Sequence, residues 1–329
     1  MRARDLIIWA ALVAALALYP RVVTVDNYRL LRLTQLLVLV SLASSWNLIG
    51  GMTGYVDFGH AVFFGIGAYA MGIAVTPLSA GRLEWAPELP YAAGLALAGL
   101  AAALFALAIG LPLLRLKGPY FSIAMLGTFM AVRELVRIAK PWTGGGEGLD
   151  VSASLDRRGD YYAMLGLVAF VVGLAAWVRS SQLGLALEAI REDEVGAETR
   201  GIATTRIKLA TFALAAGCTG LVGGFWSVQN NYVDPDVAFI EHRTAEMVMM
   251  AMLGGLGTVW GPVLGAVALD LLKDYAWSRF LDDHLAVLGV SMILVVLLLP
   301  RGIMGALSSP RLVRWAHRAI GRPSVEPEA

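Results

Sequence analysis

Cysteine and charge are what this sequence has least of. A single cysteine, Cys218, lies inside an apolar run of the 329-residue chain, so no disulfide and no cysteine-based metal framework can form within one chain. The four histidines are scattered and show no metal-ligand spacing. Charged residues are 16% of the chain, against about a quarter in a soluble domain. That shortfall places the chain in the membrane class. A net charge of +1 offers no basic footprint for nucleic acid. Gly144, Gly145, Gly146 and Gly148 have no strand pattern before them and no Lys-Ser/Thr after them, which excludes a nucleotide-phosphate loop. Nor are there paired catalytic groups at a workable spacing for an intramembrane enzyme.

What remains is long apolar runs and glycine. Hydrophobic residues are 58% of the chain and glycine contributes 36 residues; membrane helices use glycine to bring backbones close. Runs of the roughly 20 residues that cross a bilayer core lie near 6–20, 30–50, 59–77, 90–112, 119–139, 161–179, 208–230, 244–258, 261–278 and 284–300. The eighth and ninth are short and divided by a stretch from Gly254 to Pro262, either a turn or a break within one span. Nine or ten spans fit, and charge favours ten. Arg2 and Arg4, Arg115 and Lys117, the group from Arg179 to Lys208, and the C-terminal arginines Arg301, Arg311, Arg314, Arg318 and Arg322 then all face the cytoplasm. Arg21, Arg29 and Arg32 run against the rule. Arg2 and Arg4 before an apolar run also fit a signal peptide, with Ala15-Leu16-Ala17 as a cleavage site, but an uncleaved first span suits the run of apolar segments after it. Residues 1–305 read as one transmembrane domain and 306–329 as a basic cytoplasmic tail, solvated or touching anionic lipid.

Tyr55-Val56-Asp57 recurs as Tyr232-Val233-Asp234, at the ends of spans that would run in opposite directions. That is the pattern of an inverted repeat, which transporters use often. The longest polar stretch between spans, 180–208, places Leu183, Leu187, Ile190 and Val195 at roughly helical spacing between acids and arginines. It reads as a short amphipathic helix, a turn at Gly201 and a second short helix after it, with Thr204 or Thr205 capping the helix beyond. Such a helix is either a solvated surface element or a docking element for a cytoplasmic partner.

Ionisable groups within spans are costly and face cavities or partners. Asp57, His60, Glu246 and Asp270 are the ionisable candidates, with Gln35, Asn47, Gln229 and Asn230 as polar neighbours; of these, Asn47, Asp57, His60, Gln229 and Glu246 would line a substrate route. The same residues also suit interhelical hydrogen bonds or the water interface.

Several segments in order resemble the LivM-type permease family of bacterial branched-chain amino acid ABC importers. They are the loop sequence Glu188-Ala-Ile-Arg-Glu-Asp-Glu194 followed by Gly201-Ile and Lys208-Leu-Ala-Thr-Phe212; Asn47 to Ala61; Lys117-Gly-Pro-Tyr-Phe-Ser122; Thr143-Gly-Gly-Gly-Glu-Gly148; and Leu253 to Ala266. The resemblance implies an all-α polytopic membrane protein of about ten transmembrane helices, with a cytoplasmic coupling helix seated in a groove of an ATPase. It implies coupling through Glu188, Arg191, Glu192, Asp193, Glu194 and Gly201, Arg191 to Glu194 deepest. The general ABC-importer loop has Glu-Ala-Ala and, three residues later, Gly; here Ile190 and Glu194 stand in those places. The implied partners are a second, different permease subunit, two cytoplasmic ATPases that carry ATP and magnesium, and a periplasmic or lipid-anchored substrate-binding protein. The chain itself would hold no cofactor and catalyse nothing. The implied place is the bacterial inner membrane, with both termini cytoplasmic. A secondary transporter of small solutes, an ABC permease for urea or short amides, and a structural membrane scaffold are the alternatives.

Overall fold

The computed structural model describes residues 3–22, 26–75, 89–151, 156–279, 289–290, 293 and 302–307. Nine helices correspond to the first nine apolar runs: α1 (Ala3–Val22), α2 (Asn27–Thr53), α3 (Ala61–Val75), α4 (Tyr91–Leu113), α5 (Pro119–Ile138), α7 (Arg157–Ser180), α10 (Thr204–Asn230), α12 (Glu241–Gly254) and α13 (Trp260–Arg279). Between them lie α6 (Lys140–Thr143), a 3-10 turn at Gly145–Glu147, β1 (Leu149–Asp150), α8 (Gln182–Glu192), α9 (Glu194–Thr199), β2 (Tyr232–Val233) and α11 (Pro235–Ala238), with α14 at Gly302–Leu307. Of the tenth run, 284–300, only residues 289, 290 and 293 are described, and the C-terminal tail beyond Leu307 falls outside the described residues. Among the described residues, four helices are long and apolar enough to cross a membrane unaided: α2, α4, α7 and α10. Others fall short for visible reasons. α3 has 15 residues and α12 has 14, while α5 carries Arg133, Glu134 and Arg137.

Small residues put the centre together. α4 turns Gly94, Ala98, Gly99, Ala102, Ala106 and Gly110 inward and leaves Leu97, Leu100, Leu104, Leu107 and Leu111 outside. That stripe, at three- and four-residue spacing, lets the backbone of α10 approach. α3 and α10 are also in close backbone contact: a Cβ at Gly67 would lie 2.1 Å from the Gly220 carbonyl oxygen, and one at Gly223 would lie 2.0 Å from that of Phe64. The two contacts advance in opposite directions along the chain, so α3 and α10 are antiparallel. α3 is apolar on every side and almost wholly buried, its Phe63 and Phe64 fully so. α2 packs on α7, α12 and α13 around it.

The stretch from Gly254 to Pro262 is a turn, not a kink within one span. Gly254 lies against Gly261, and Gly265 lies against Met250, so α12 and α13 form an antiparallel hairpin. The polar loop departs from expectation in three ways. The chain breaks at Asp193, so the second short helix precedes Gly201 rather than following it. Gly201 does make the turn, at φ +85°. Because the break resets the helical phase, Val195 leaves the buried face and is 59% exposed. Thr204 does not cap α10; its hydroxyl donates to Glu198 at 2.6 Å. The glycine-rich stretch after α6 is ordered too: Leu149 pairs antiparallel with Val233 and Asp150 with Tyr232.

Candidate functional site

The loop α8–α9 is tied to the helical body at two points. Arg191, in the last turn of α8, donates from Nη1 to the Gly51 carbonyl in α2 at 2.7 Å. It also lies beside Gly257 in the α12–α13 turn. The second tie is a buried cluster. Lys208, 1% exposed near the start of α10, donates from Nζ to Glu194 at 2.7 Å, to the Tyr55 hydroxyl at 2.9 Å and to the Leu114 carbonyl at 3.2 Å. Tyr55 in turn donates to Glu194 at 2.5 Å. One ammonium thus joins α9, the end of α4, the start of α10 and the α2–α3 junction. Burial alone would raise the Glu194 carboxyl; the bonds from Lys208 and Tyr55 outweigh it and hold it below the usual carboxylate range.

These contacts sort the loop residues that sequence singled out. Arg191 and Glu194 face inward as anchors. Asp193 accepts from the Val195 amide and caps α9. Glu188 makes an exposed ion pair with Arg179 at 3.3 Å. Glu192 and Gly201 are exposed, and beside them Leu185 and Val195 present apolar side chains to solvent.

The five pathway candidates also separate. Asn47, 1% exposed, clamps the α12–α13 turn: its amide nitrogen donates to the Thr258 carbonyl and its oxygen accepts from the Gly257 amide, both at 2.9 Å. Asp57 and His60 are fully buried. Asp57 accepts from the Gly59 amide and meets His60 Nδ1 at 2.8 Å; His60 Nε2 lies 2.9 Å from the Thr219 hydroxyl, which lies 2.8 Å from Ser45. The irregular backbone between α2 and α3 is therefore satisfied inside protein, as backbone of that kind must be. Trp46 and Thr244 complete it, donating to the Asp57 carbonyl and accepting from the Ala61 amide. Gln229 and Glu246 are elsewhere, on a cavity of about 600 Å³ at the far end of α10. A second cavity, of about 640 Å³, opens beside the loop between Gly54, Phe58, Lys117, Ser122, Ile123 and Arg191. Among the described residues no group of three His, Cys, Asp or Glu side chains could hold a metal ion.

Sequence reasoning did not single out Tyr55, Lys208 or Thr219 as site residues, nor the pair Arg133 and Arg137 that grips Asp236 of α11. A lysine just inside an apolar run was the available signal for Lys208. The hydrogen bonds from the two arginines hold the Asp236 carboxyl low, though it stands at the surface.

Comparison with known proteins agrees along the chain. It is 29% identical to the high-affinity branched-chain amino acid transport system permease protein LivM of Salmonella typhimurium, over 97% of this chain and 79% of that protein. It is 28% identical to LivM of Escherichia coli, over 92% and 75%, and 25% identical to the permease protein BraD of Pseudomonas aeruginosa, over 80% and 90%. No solved structure matches. With residues 28–296 matching that family as a whole, the chain belongs to the permease components of the branched-chain amino acid transport system.

Proposed function

We propose that this permease subunit of an ABC importer moves branched-chain or related hydrophobic amino acids, and that α8–α9 is the helix through which ATP-driven motion reaches the membrane. The observation that carries the second part is the pair of anchors at Arg191 and Glu194, which tie the loop to the ends of α2, α4 and α10. A push on the exposed side, where Leu185, Glu188, Glu192 and Val195 stand, then moves those helix ends together instead of bending a free loop. Packed elements transmit displacement this way because cores are poorly compressible. The cargo rests on the names of the relatives and on an apolar, glycine-rich interior.

The assembly comprises this chain, a second and different permease, two ATPases that bind ATP and magnesium, and a substrate-binding protein on the outer side. The chain has ten spans in the bacterial inner membrane, termini cytoplasmic, residues 1–305 forming the permease domain and 306–329 the tail. Its halves are inverted repeats. α2 and α10 have 27 residues each, and each ends at a residue with positive φ, Gly54 or Asn231, followed by Tyr-Val-Asp. α10 packs on α3 and α4 as α2 packs on α12 and α13. Asn47, Asp57, His60, Gln229 and Glu246 border the moving parts of the route.

The test is a cysteine at Glu192 in the intact assembly, with Cys218, buried, as this chain's only native thiol. Crosslinking to an ATPase, with a second permease co-purifying, supports the reading. Recovery of the chain alone under conditions that preserve comparable assemblies overturns it.

A further inference from the structure

The cavity at the far end of α10 has properties that the coupling loop does not explain. α10 is 27 residues long, about 40 Å at 1.5 Å per residue. The cavity therefore lies on the side of the bundle opposite α8–α9. It is lined by α2 from Leu31 to Leu42, a depth of about 16 Å, half a bilayer core. Its volume of about 600 Å³ falls in the range of small-molecule pockets.

Its chemistry is divided. Arg157, Arg243, Lys273, Glu246 and Asp270 all border it, whereas Leu39, Leu42, Phe64 and Trp226 give it apolar walls. Glu246 and Lys273 neutralise each other at 2.6 Å. Arg243 is held in place by ring faces, its guanidinium carbon 3.7 Å from the Phe64 centroid and 5.2 Å from that of Trp226. Such stacking fixes a cation without neutralising it. Neither Arg157 nor Asp270 makes a hydrogen bond or close ion pair with another described residue. Two cations and one carboxylate thus border the space without a directly bonded opposite charge, although Asp160 acts on Arg157, Glu246 on Arg243, and Arg32 and Lys273 on Asp270 at longer range.

We propose that this cavity is a binding site for a small free zwitterion with an apolar tail, its carboxylate taken by Arg157 and Arg243 and its ammonium by Asp270. A ligand with one charge would pair with the cations or with the carboxylate but not with both, and would bring its own desolvation cost. A ligand with both satisfies each and lays its side chain on Leu39, Leu42, Phe64 and Trp226. The proposal rests on the import reading for its probe, L-leucine, and makes this subunit a selector of its cargo as well as a passage. A phosphoethanolamine headgroup shares the paired charges but lacks a free apolar tail.

The experiment uses the full assembly in membrane vesicles, with Cys218→Ser and Gln229→Cys, and repeats it with Gln35→Cys so that one misfolded variant cannot decide the matter. A charged, impermeant thiol reagent labels the new cysteine. L-leucine at about ten times its dissociation constant is expected to slow labelling about tenfold, since only unoccupied sites react. Isopentylamine, 4-methylpentanoate and glycerophosphoethanolamine are expected to protect little, and Asp270→Asn to abolish the leucine effect. Equal protection by a singly charged analogue, protection by glycerophosphoethanolamine alone, or no protection by leucine at either position overturns the proposal. ATP-driven leucine uptake by the unmutated assembly is read separately: its absence counts against the import reading, whereas uptake without protection counts against this site alone.

Discussion

The two ends of α10 hold similar residue types arranged to opposite purpose. At the start, Lys208, Glu194 and Tyr55 converge with every polar atom bonded, and the Lys208 side chain is 2% exposed. At the far end, Lys273 and Glu246 are 30% and 22% exposed, pair with each other, and face open space beside Arg157 and Asp270. A saturated polar cluster in a dry setting is stiff, because each group lost leaves others unsatisfied. A partly filled one with room beside it can exchange its partners for a ligand. The first suits transmission of force and the second suits recognition.

The largest expected effect breaks the stiff end. Lys208→Met leaves Glu194, partly buried with its side chain 15% exposed, without its cation, and removal of one partner from a buried pair costs up to about 3 kcal/mol. Apparent melting temperature and yield of the purified assembly should both drop. Adding Glu194→Gln should recover much of the loss, because the double variant has no stranded charge. If Lys208→Met melts like the parent, the cluster is not the stiff element inferred here.

A smaller effect is expected from the double variant Arg191→Glu, Asp193→Arg, which removes the bond to Gly51 and the α9 cap while keeping the loop charged. ATP hydrolysis should persist while uptake falls about tenfold, within the range of coupling free energies between distant sites. Unchanged uptake would sink the lever reading. Smaller again in stability is Lys273→Met at the open end. It should cost under about 1 kcal/mol, as for solvent-screened pairs, yet alter the concentration dependence of uptake. A melting shift as large as that of Lys208→Met would erase the contrast between the two ends.

The smallest effect is on pH dependence. Glu194 is held below the usual carboxylate range, so its stabilising contribution is present above about pH 4.3, the ordinary value. It is lost as pH falls through the lower folded-state value. Glu194→Gln should therefore flatten the acid limb of a melting-temperature profile and leave the neutral region nearly parallel to the parent.

Much of the fold was legible because hydropathy is a local property. The apolar runs fixed nine helix positions, whereas the small-residue packing stripe of α4 emerged only with the structure. The loop was legible as amphipathic, but its break at Asp193 was not: the Asp193 carboxylate caps α9 within two residues, and that local bond outweighed the continuing apolar period. Asn47, Asp57 and His60 were recognisable as costly polar groups, yet the side chains they serve could not be read from spacing. His60 meets Thr219 across 159 residues of sequence, and Asn47 meets Gly257 across 210.

By itself, then, the sequence determined a membrane class, the helix positions, the family and the residues whose polarity demanded an explanation. Tertiary structure alone decided which of them are joined. Tyr55, Glu194 and Lys208 become one cluster, and Gln229 and Glu246 a different site from Asp57 and His60. The reason is physical. In an interior of low dielectric each polar group must find a partner, and which partner is near depends on how helices pack, which hydropathy along one chain does not encode.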